Sequence, residues 1–198
     1  MAITINGSTN TITGLAVGGL PDGTVDTDTL ANSAVTSAKS SGLGISEVDQ
    51  WLLTSNLSYS SGKVNIEDNW ARSGFAQMAN GSNLGTGVTQ SSGTFTLPST
   101  GFWKIDFAMM GAATADINVF EAGIRIPGGN EWTQSHPSMV DNGSGTWYNN
   151  IYTSCIVDIT DTSAQTVSFF VYAAAAFTVE GNANQLRTGA TFIKLAGT

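Results

Sequence analysis

Charge is what this sequence has least of. Asp, Glu, Lys and Arg make up 11% of its 198 residues, against about 25% in an ordinary globular chain. Lys and Arg number 7 and Asp and Glu 15, giving a net charge of −8 and an isoelectric point near 4.3. Phosphate binding needs clustered cations, so no nucleic acid is expected as a partner. A polybasic membrane contact fails for the same reason. The one cysteine, Cys155, excludes an internal disulfide framework and a zinc site built on thiolates. No apolar run approaches the roughly 18 residues of a membrane span, so no membrane insertion is expected. Met1-Ala2-Ile3-Thr4-Ile5-Asn6-Gly7 lacks the basic start and apolar core of a secretory signal. The expected place of synthesis is the cytoplasm.

What replaces charge is Gly, with 23 residues, together with Ser, Thr and Asn. Gly and Asn accept the positive φ of tight turns, so this mix suits many short strands and opposes a helical bundle. With 41% hydrophobic residues the chain can bury a core, which excludes wholesale disorder. The texture is uneven. Residues 1–44 contain no aromatic residue, whereas all five Trp, four Tyr and nine Phe lie beyond them. A segment of scattered Ile, Leu and Val cannot close a core alone. It reads as an extended amino-terminal arm that leans on its own copies or on a larger partner. One short helix is expected within it, Thr27 to Lys39, with Leu30, Ala31, Ala34, Val35 and Ala38 on one face.

Residues 45–198 show period-two alternation. Trp103, Ile105 and Phe107 share one face, with Lys104 and Asp106 on the other. Val167, Phe169 and Val171 alternate with Ser168, Phe170 and Tyr172, a strand apolar on both faces. Further expected strands are Trp51–Leu57, Trp70–Met78, Thr94–Leu97, Ile117–Ile126, Trp147–Ile159 and Thr191–Leu195. Turn signals separate them: Ser91-Ser92-Gly93, Pro98-Ser99-Thr100-Gly101, Pro127-Gly128-Gly129-Asn130 and Asp141-Asn142-Gly143. Many short strands without a strong intervening helix predict a sandwich, jelly roll or barrel.

The stretch Gly93-Thr94-Phe95-Thr96-Leu97-Pro98-Ser99-Thr100-Gly101-Phe102-Trp103-Lys104-Ile105, preceded by Gly85-Thr86-Gly87-Val88-Thr89, resembles the early strand pair of complement globular-head and tumour-necrosis-factor-like jelly rolls. The closing Thr191-Phe192-Ile193-Lys194-Leu195 is similar to the last strand of that family. The resemblance covers about residues 45–198 and implies an all-β, antiparallel jelly-roll sandwich that forms a homotrimer. In the arm, Ile12-Thr13-Gly14-Leu15, Gly19-Leu20-Pro21-Asp22-Gly23-Thr24-Val25 and Leu30-Ala31-Asn32-Ser33-Ala34-Val35-Thr36-Ser37-Ala38-Lys39 resemble segments of tailed-phage virion proteins, notably cyanophage fibre-like ones. Asp49-Gln50-Trp51 and Asp158-Ile159-Thr160-Asp161-Thr162-Ser163 fit the same group. That resemblance implies a trimer on a virion surface, made in the host cytoplasm. The chain is short for a tail fibre and has no long repetitive shaft, which favours a capsid decoration, cement or head-fibre protein.

Catalytic chemistry finds little to work with. His136, the single histidine, stands in Gln134-Ser135-His136-Pro137, read as a solvated loop. No Gly-X-Ser-X-Gly elbow or phosphate cradle occurs, and Cys155 lies in an apolar strand pattern that predicts an inert thiol. The carboxylate pairs Asp26/Asp28, Glu67/Asp68 and Asp158/Asp161 sit in turn-like surroundings where acids cap. Calcium at Asp158/Asp161 is an alternative, but no metal and no cofactor is called for. The expectation is a non-enzymatic structural protein. Its anchor would use Ile3, Ile5, Ile12, Leu15, Val17, Leu20, Leu30 and Val35 against the major capsid protein or another virion subunit. Phe169, Val171, Ile193 and Leu195 are the expected trimer contacts. Trp132, His136, Trp147, Tyr148 and Tyr152, set among Asn, Gln, Ser and Gly, could instead stack on a host surface glycan, as in a receptor-binding tail-fibre tip. The plainer reading is that these aromatics cover a sheet edge or fill the trimer contact.

Overall fold

The computed structural model describes residues 4–9, 11–13, 44–73, 83–127, 130–136 and 145–197. The chain divides into two units, residues 1–43 and 44–198. In the first, β1 (Thr4–Asn6) and β2 (Thr11–Thr13) form an antiparallel hairpin with Ile5 opposite Ile12. Asn6 Oδ1 accepts the Ser8 N–H at 3.0 Å, an Asx turn that reverses the chain. The start of the arm is thus folded back on itself rather than extended. The expected helix over 27–39 and the anchor positions Ile3, Leu15, Val17, Leu20, Leu30 and Val35 lie outside the described residues.

The second unit carries β3 (Val48–Leu53), β4 (Leu57–Tyr59), β5 (Gly62–Asn65), β6 (Trp70–Arg72), β7 (Asn83–Leu84), β8 (Thr89–Ser91), β9 (Thr94–Thr96) and β10 (Gly101–Ala113). It continues with β11 (Phe120–Ile126), β12 (Asn130–His136), β13 (Trp147–Ile159), β14 (Val167–Ala173), β15 (Phe177–Val179) and β16 (Gly189–Ala196). All pairings are antiparallel. One sheet runs β13–β10–β16–β3, extended by β6 and β7 on β3 and by β15 and β4 beside the end of β10. The other runs β12–β11–β14, and β9 and β5 share the far edge of β14, with β8 on β9. The first long strand pairs with the last, and the chain crosses repeatedly between the sheets. This is jelly-roll topology.

Inward residues of both sheets make one core. Phe107 of β10 stacks on Phe169 of β14 with ring centroids 4.6 Å apart, which joins the two sheets at their centre. Phe95 meets Trp51 and Trp70 edge-on at 5.5 and 5.2 Å. Fully buried rings of this kind contribute about 1.5–3 kcal/mol each by burial. Phe170, on the opposite face of β14, is covered within the chain by Lys63 and Arg125, which lie over its ring. That accounts for the strand being apolar on both faces without a second subunit.

Several expected elements are displaced. Trp51–Leu57 is two strands, broken at 54–56, and Ile117 holds only an isolated bridge before β11. Trp70–Met78 is regular only as far as Arg72, with 74–78 outside the described residues. The Ser92-Gly93 signal is a two-residue hairpin turn with φ of 46° and 73° at its centre, the primed geometry that matches strand twist. The expected loop around His136 is instead β12, paired along its length with β11.

Candidate functional site

A sandwich sheet has one face in the core, and the other face shows what the protein offers. On the β13–β10–β16–β3 sheet the outward residues fall in register rows. One row is Ile156–Lys104–Ile193–Val48, and the next is Ser154–Asp106–Thr191–Gln50. Phe102 lies below them and Tyr152, opposite Ala108, above. Ile156 is 61% exposed, Tyr152 56% and Phe102 43%. Three large apolar side chains on one side of a regular sheet are an exposure that soluble chains ordinarily cover.

Polar groups at the centre of this face are mutually satisfied. Lys104 pairs with Asp106, and Tyr152 donates its phenol to Asp106 Oδ1 at 2.6 Å. Burial pushes the Asp106 carboxyl up, but hydrogen bonds from Lys104, Ser154 and Tyr152 outweigh it and hold it below its ordinary value. The same pair raises Lys104. Gln50 Nε2 donates to Thr191 Oγ1 at 3.3 Å. A face whose charges are already paired loses less on being covered than one with free charges.

The four expected trimer contacts separate. Phe169 and Val171 have no exposure at all in the single chain; they face Phe107 and the rest of the core between the sheets. Neither can touch a second copy, so both are corrected to core residues. Ile193 lies on the outward face, and Leu195 is the extra residue of a bulge, where Phe102 pairs with Ala196 and Trp103 with Lys194. Leu195 is 44% exposed.

The five expected glycan contacts do not converge either. Trp147 and Tyr148 are neighbours in β13 and so point to opposite sides. Trp132 and Trp147 pack against the core, while Tyr148 and Tyr152 are on the outward face. His136 holds the strand position opposite Phe120. Where β12 and β13 border one another at the edges of the two sheets, Thr153 Oγ1 reaches the Trp132 carbonyl at 3.4 Å. The two tryptophans therefore help close the sandwich edge.

Among the described residues Cys155 and Asp161 each have an ordinary structural setting. Burial, then the nearby Asp106 charge, pushes the Cys155 thiol up to about 11, so it stays protonated near neutrality. Asp161 Oδ1 accepts from the Ser163 N–H at 2.8 Å, the Ser163 hydroxyl at 2.6 Å and the Ala164 N–H at 3.2 Å, which is turn capping. Those bonds hold its carboxyl below its ordinary value. Among the described residues no group of three His, Cys, Asp or Glu is placed to hold a metal ion.

Sequence reading missed Phe102, Asp106 and Ile156 as members of one face. Their signal was the shared parity of Tyr148, Tyr152 and Ile156 along Trp147–Ile159, which reads as a face only once the opposite parity is known to be core.

No protein-family model and no curated protein matches this chain. Among solved structures it is similar to murine APRIL at pH 8.5, with 12% identity, 75% of this chain and 99% of that chain covered, and a TM-score of 0.49. It is similar to the PRD1 vertex protein P5 at 12% identity over 76% of this chain and 98% of that chain, with a TM-score of 0.47. Eiger TNF from S. frugiperda is also similar, with 12% identity, 76% and 93% covered, and a TM-score of 0.41.

Proposed function

We propose that this chain is a non-enzymatic structural protein of a virion surface that assembles as a homotrimer through the outward face of the β13–β10–β16–β3 sheet. The carrying observation is that face: Phe102, Tyr152, Ile156 and Ile193 around a self-satisfied Lys104–Asp106 pair. Covering it with two further copies buries the exposed rings and aliphatic groups, and no charge is left without a partner. Large apolar groups surround charge that is already paired within the chain, so covering the patch strands no ion. The surface elsewhere is acidic, which keeps a crowded particle soluble.

Residues 1–44 supply the anchor in this reading. They lack aromatics, and among the described residues their hairpin is a sheet of two strands, a form marginal alone and suited to strand addition on a partner. The resemblance of residues 12–39 to tailed-phage virion segments supports a capsid partner. A trimer bound across several capsid subunits then favours the assembled shell by mass action and multivalency. The direct test is imaging of assembled virions with the path of residues 1–44 traced. An arm lying on capsid subunits near local three-fold positions is the expected result. An arm plugged into the tail or baseplate would replace capsid decoration with receptor binding.

A further inference from the structure

About eight residues along β13 from Ile156, roughly 26 Å at the usual rise of an extended strand, the outward face ends in a cleft. It has a volume of about 420 Å³, within the range of small-molecule sites. Its lining comes from the loop before β4, from β4 itself, from the ends of β10 and β13, and from β15. Tyr148 stands at one side and is 57% exposed. Tyr59 lies at the other, held against Phe177 at 5.4 Å between ring centroids.

The polar groups of the lining are held by bonds within the chain. Glu180 is 5% exposed and is itself neutralised by Arg187, whose Nη1 donates to Oε2 at 2.8 Å. Its other oxygen accepts from Asn56 Nδ2 at 3.0 Å, and the Gly181 N–H donates to Asn56 Oδ1 at 2.9 Å. These two bonds fix the orientation of an exposed amide and leave its second N–H free to donate. A partly buried ion pair that orients one surface amide is support of the kind that positions a binding group. Beside it the hydroxyls of Ser58 and Thr178 lie 3.3 Å apart, close enough to be bridged by one ligand oxygen.

We infer that this cleft binds a neutral pyranose, with Tyr148 as the stacking platform and Asn56, Ser58 and Thr178 as hydrogen-bonding partners. The charge balance decides the class. Among the described residues Glu180 is the one charged residue lining the cleft, and both its oxygens are engaged. An anionic ligand would find no cation in the lining, on a protein of net charge −8, and a cationic one would find no uncommitted carboxylate oxygen. A purely apolar ligand would strip water from the amide and hydroxyls without replacing it. A sugar ring offers C–H groups to an aromatic face and hydroxyls to the rest. This inference does not require the trimer, because the cleft is complete within one chain.

Saturation-transfer NMR on the full chain tests it, with methyl α-D-glucopyranoside, methyl β-D-galactopyranoside and methyl α-D-mannopyranoside as probes and methyl β-D-glucuronide as the anionic control. The expected result is transfer to at least one neutral glycoside, with affinity reduced about tenfold by Tyr148→Ala and by Asn56→Ala and retained in Ile156→Asp. Tyr148 is exposed, so its variant keeps the test open if Asn56→Ala unsettles the loop. Absence of transfer to all three, equal binding of the glucuronide, or full binding by Tyr148→Ala would overturn the inference. A trisaccharide of the bound sugar separates the sources. Tighter binding than the single ring points to a polysaccharide chain, and equal binding to a free sugar. Failure of trimer assembly would leave these readings unchanged, so the two proposals fall separately.

Discussion

Tyr152 reaches diagonally across the β10–β13 pair to Asp106, whose direct neighbour in register is Ser154. The carboxylate therefore draws together three residues of two strands, Lys104, Ser154 and Tyr152. Its folded value lies below the ordinary 3.8, so the fold favours the ionised form. The stability this contributes is complete above the ordinary value and is lost as pH falls through the lowered one. Asp106→Asn is expected to flatten the loss of Tm with pH below about 4, as read from thermal unfolding across an acid series. An unchanged slope would show that Asp106 gains no net stabilisation from these bonds.

Asp49 is 1% exposed and is the most deeply buried carboxylate of the described residues. Arg72 grips it with Nε on Oδ1 at 3.0 Å and Nη2 on Oδ2 at 2.9 Å. The Val88 N–H adds a bond at 2.6 Å, and Arg72 Nη2 returns one to the Val88 carbonyl at 2.7 Å. Together they tie β3, β6 and the segment before β8 into one unit. Arg72→Ala leaves a buried charge with a single donor and is expected to cost about 3 kcal/mol in denaturant unfolding. Arg72→Lys keeps the charge but not the fork, and should recover only part of that loss.

Gly111 lies near the end of β10, one of the two longest strands, where a side chain would ordinarily be favoured. A Cβ there would run into the Phe120 ring, which has no exposure and no room to retreat. Gly111→Ala is expected to destabilise the fold by about 1–3 kcal/mol. A neutral or stabilised variant in the same unfolding assay would show that Phe120 can repack.

Much of this architecture is legible in the residues, and the exceptions have physical causes. Trp147–Ile159 is read to the residue, with Ile151, Cys155, Val157 and Ile159 on one parity and Asn150, Ser154 and Asp158 on the other. The alternation around Trp103, Ile105 and Phe107 is equally plain. The short strands β4, β5 and β7 are invisible because two to four residues carry no period. Phe169 and Val171 mislead as interface residues because alternation shows that a face is apolar but not which apolar face is inside. Phe170, the outward one, is hidden by Lys63 and Arg125, which are distant in sequence. The glycan constellation fails for a related reason, since Trp132 and Trp147 are near in sequence to Tyr148 yet are turned toward the core. Asn56, Tyr59 and Glu180 come together only through the β4–β15 pairing, which no local pattern reveals.

Cys155 is buried, with its thiol pushed up to about 11. At pH 8 the folded chain should therefore react with an aromatic disulfide reagent far more slowly than the unfolded chain, by roughly a hundredfold or more. Labelling at equal rates in both states would place the thiol at the surface and undo its assignment to the core.

Sedimentation equilibrium of the full chain, with Ile156→Asp alongside, tests trimeric assembly most directly. The expected mass for the natural sequence is three times the 20.5 kDa of one chain, with Ile156→Asp shifted toward the single-chain mass while keeping its strand content. A natural-sequence chain that stays monomeric through the micromolar range would contradict assembly through the Phe102, Tyr152, Ile156 and Ile193 face.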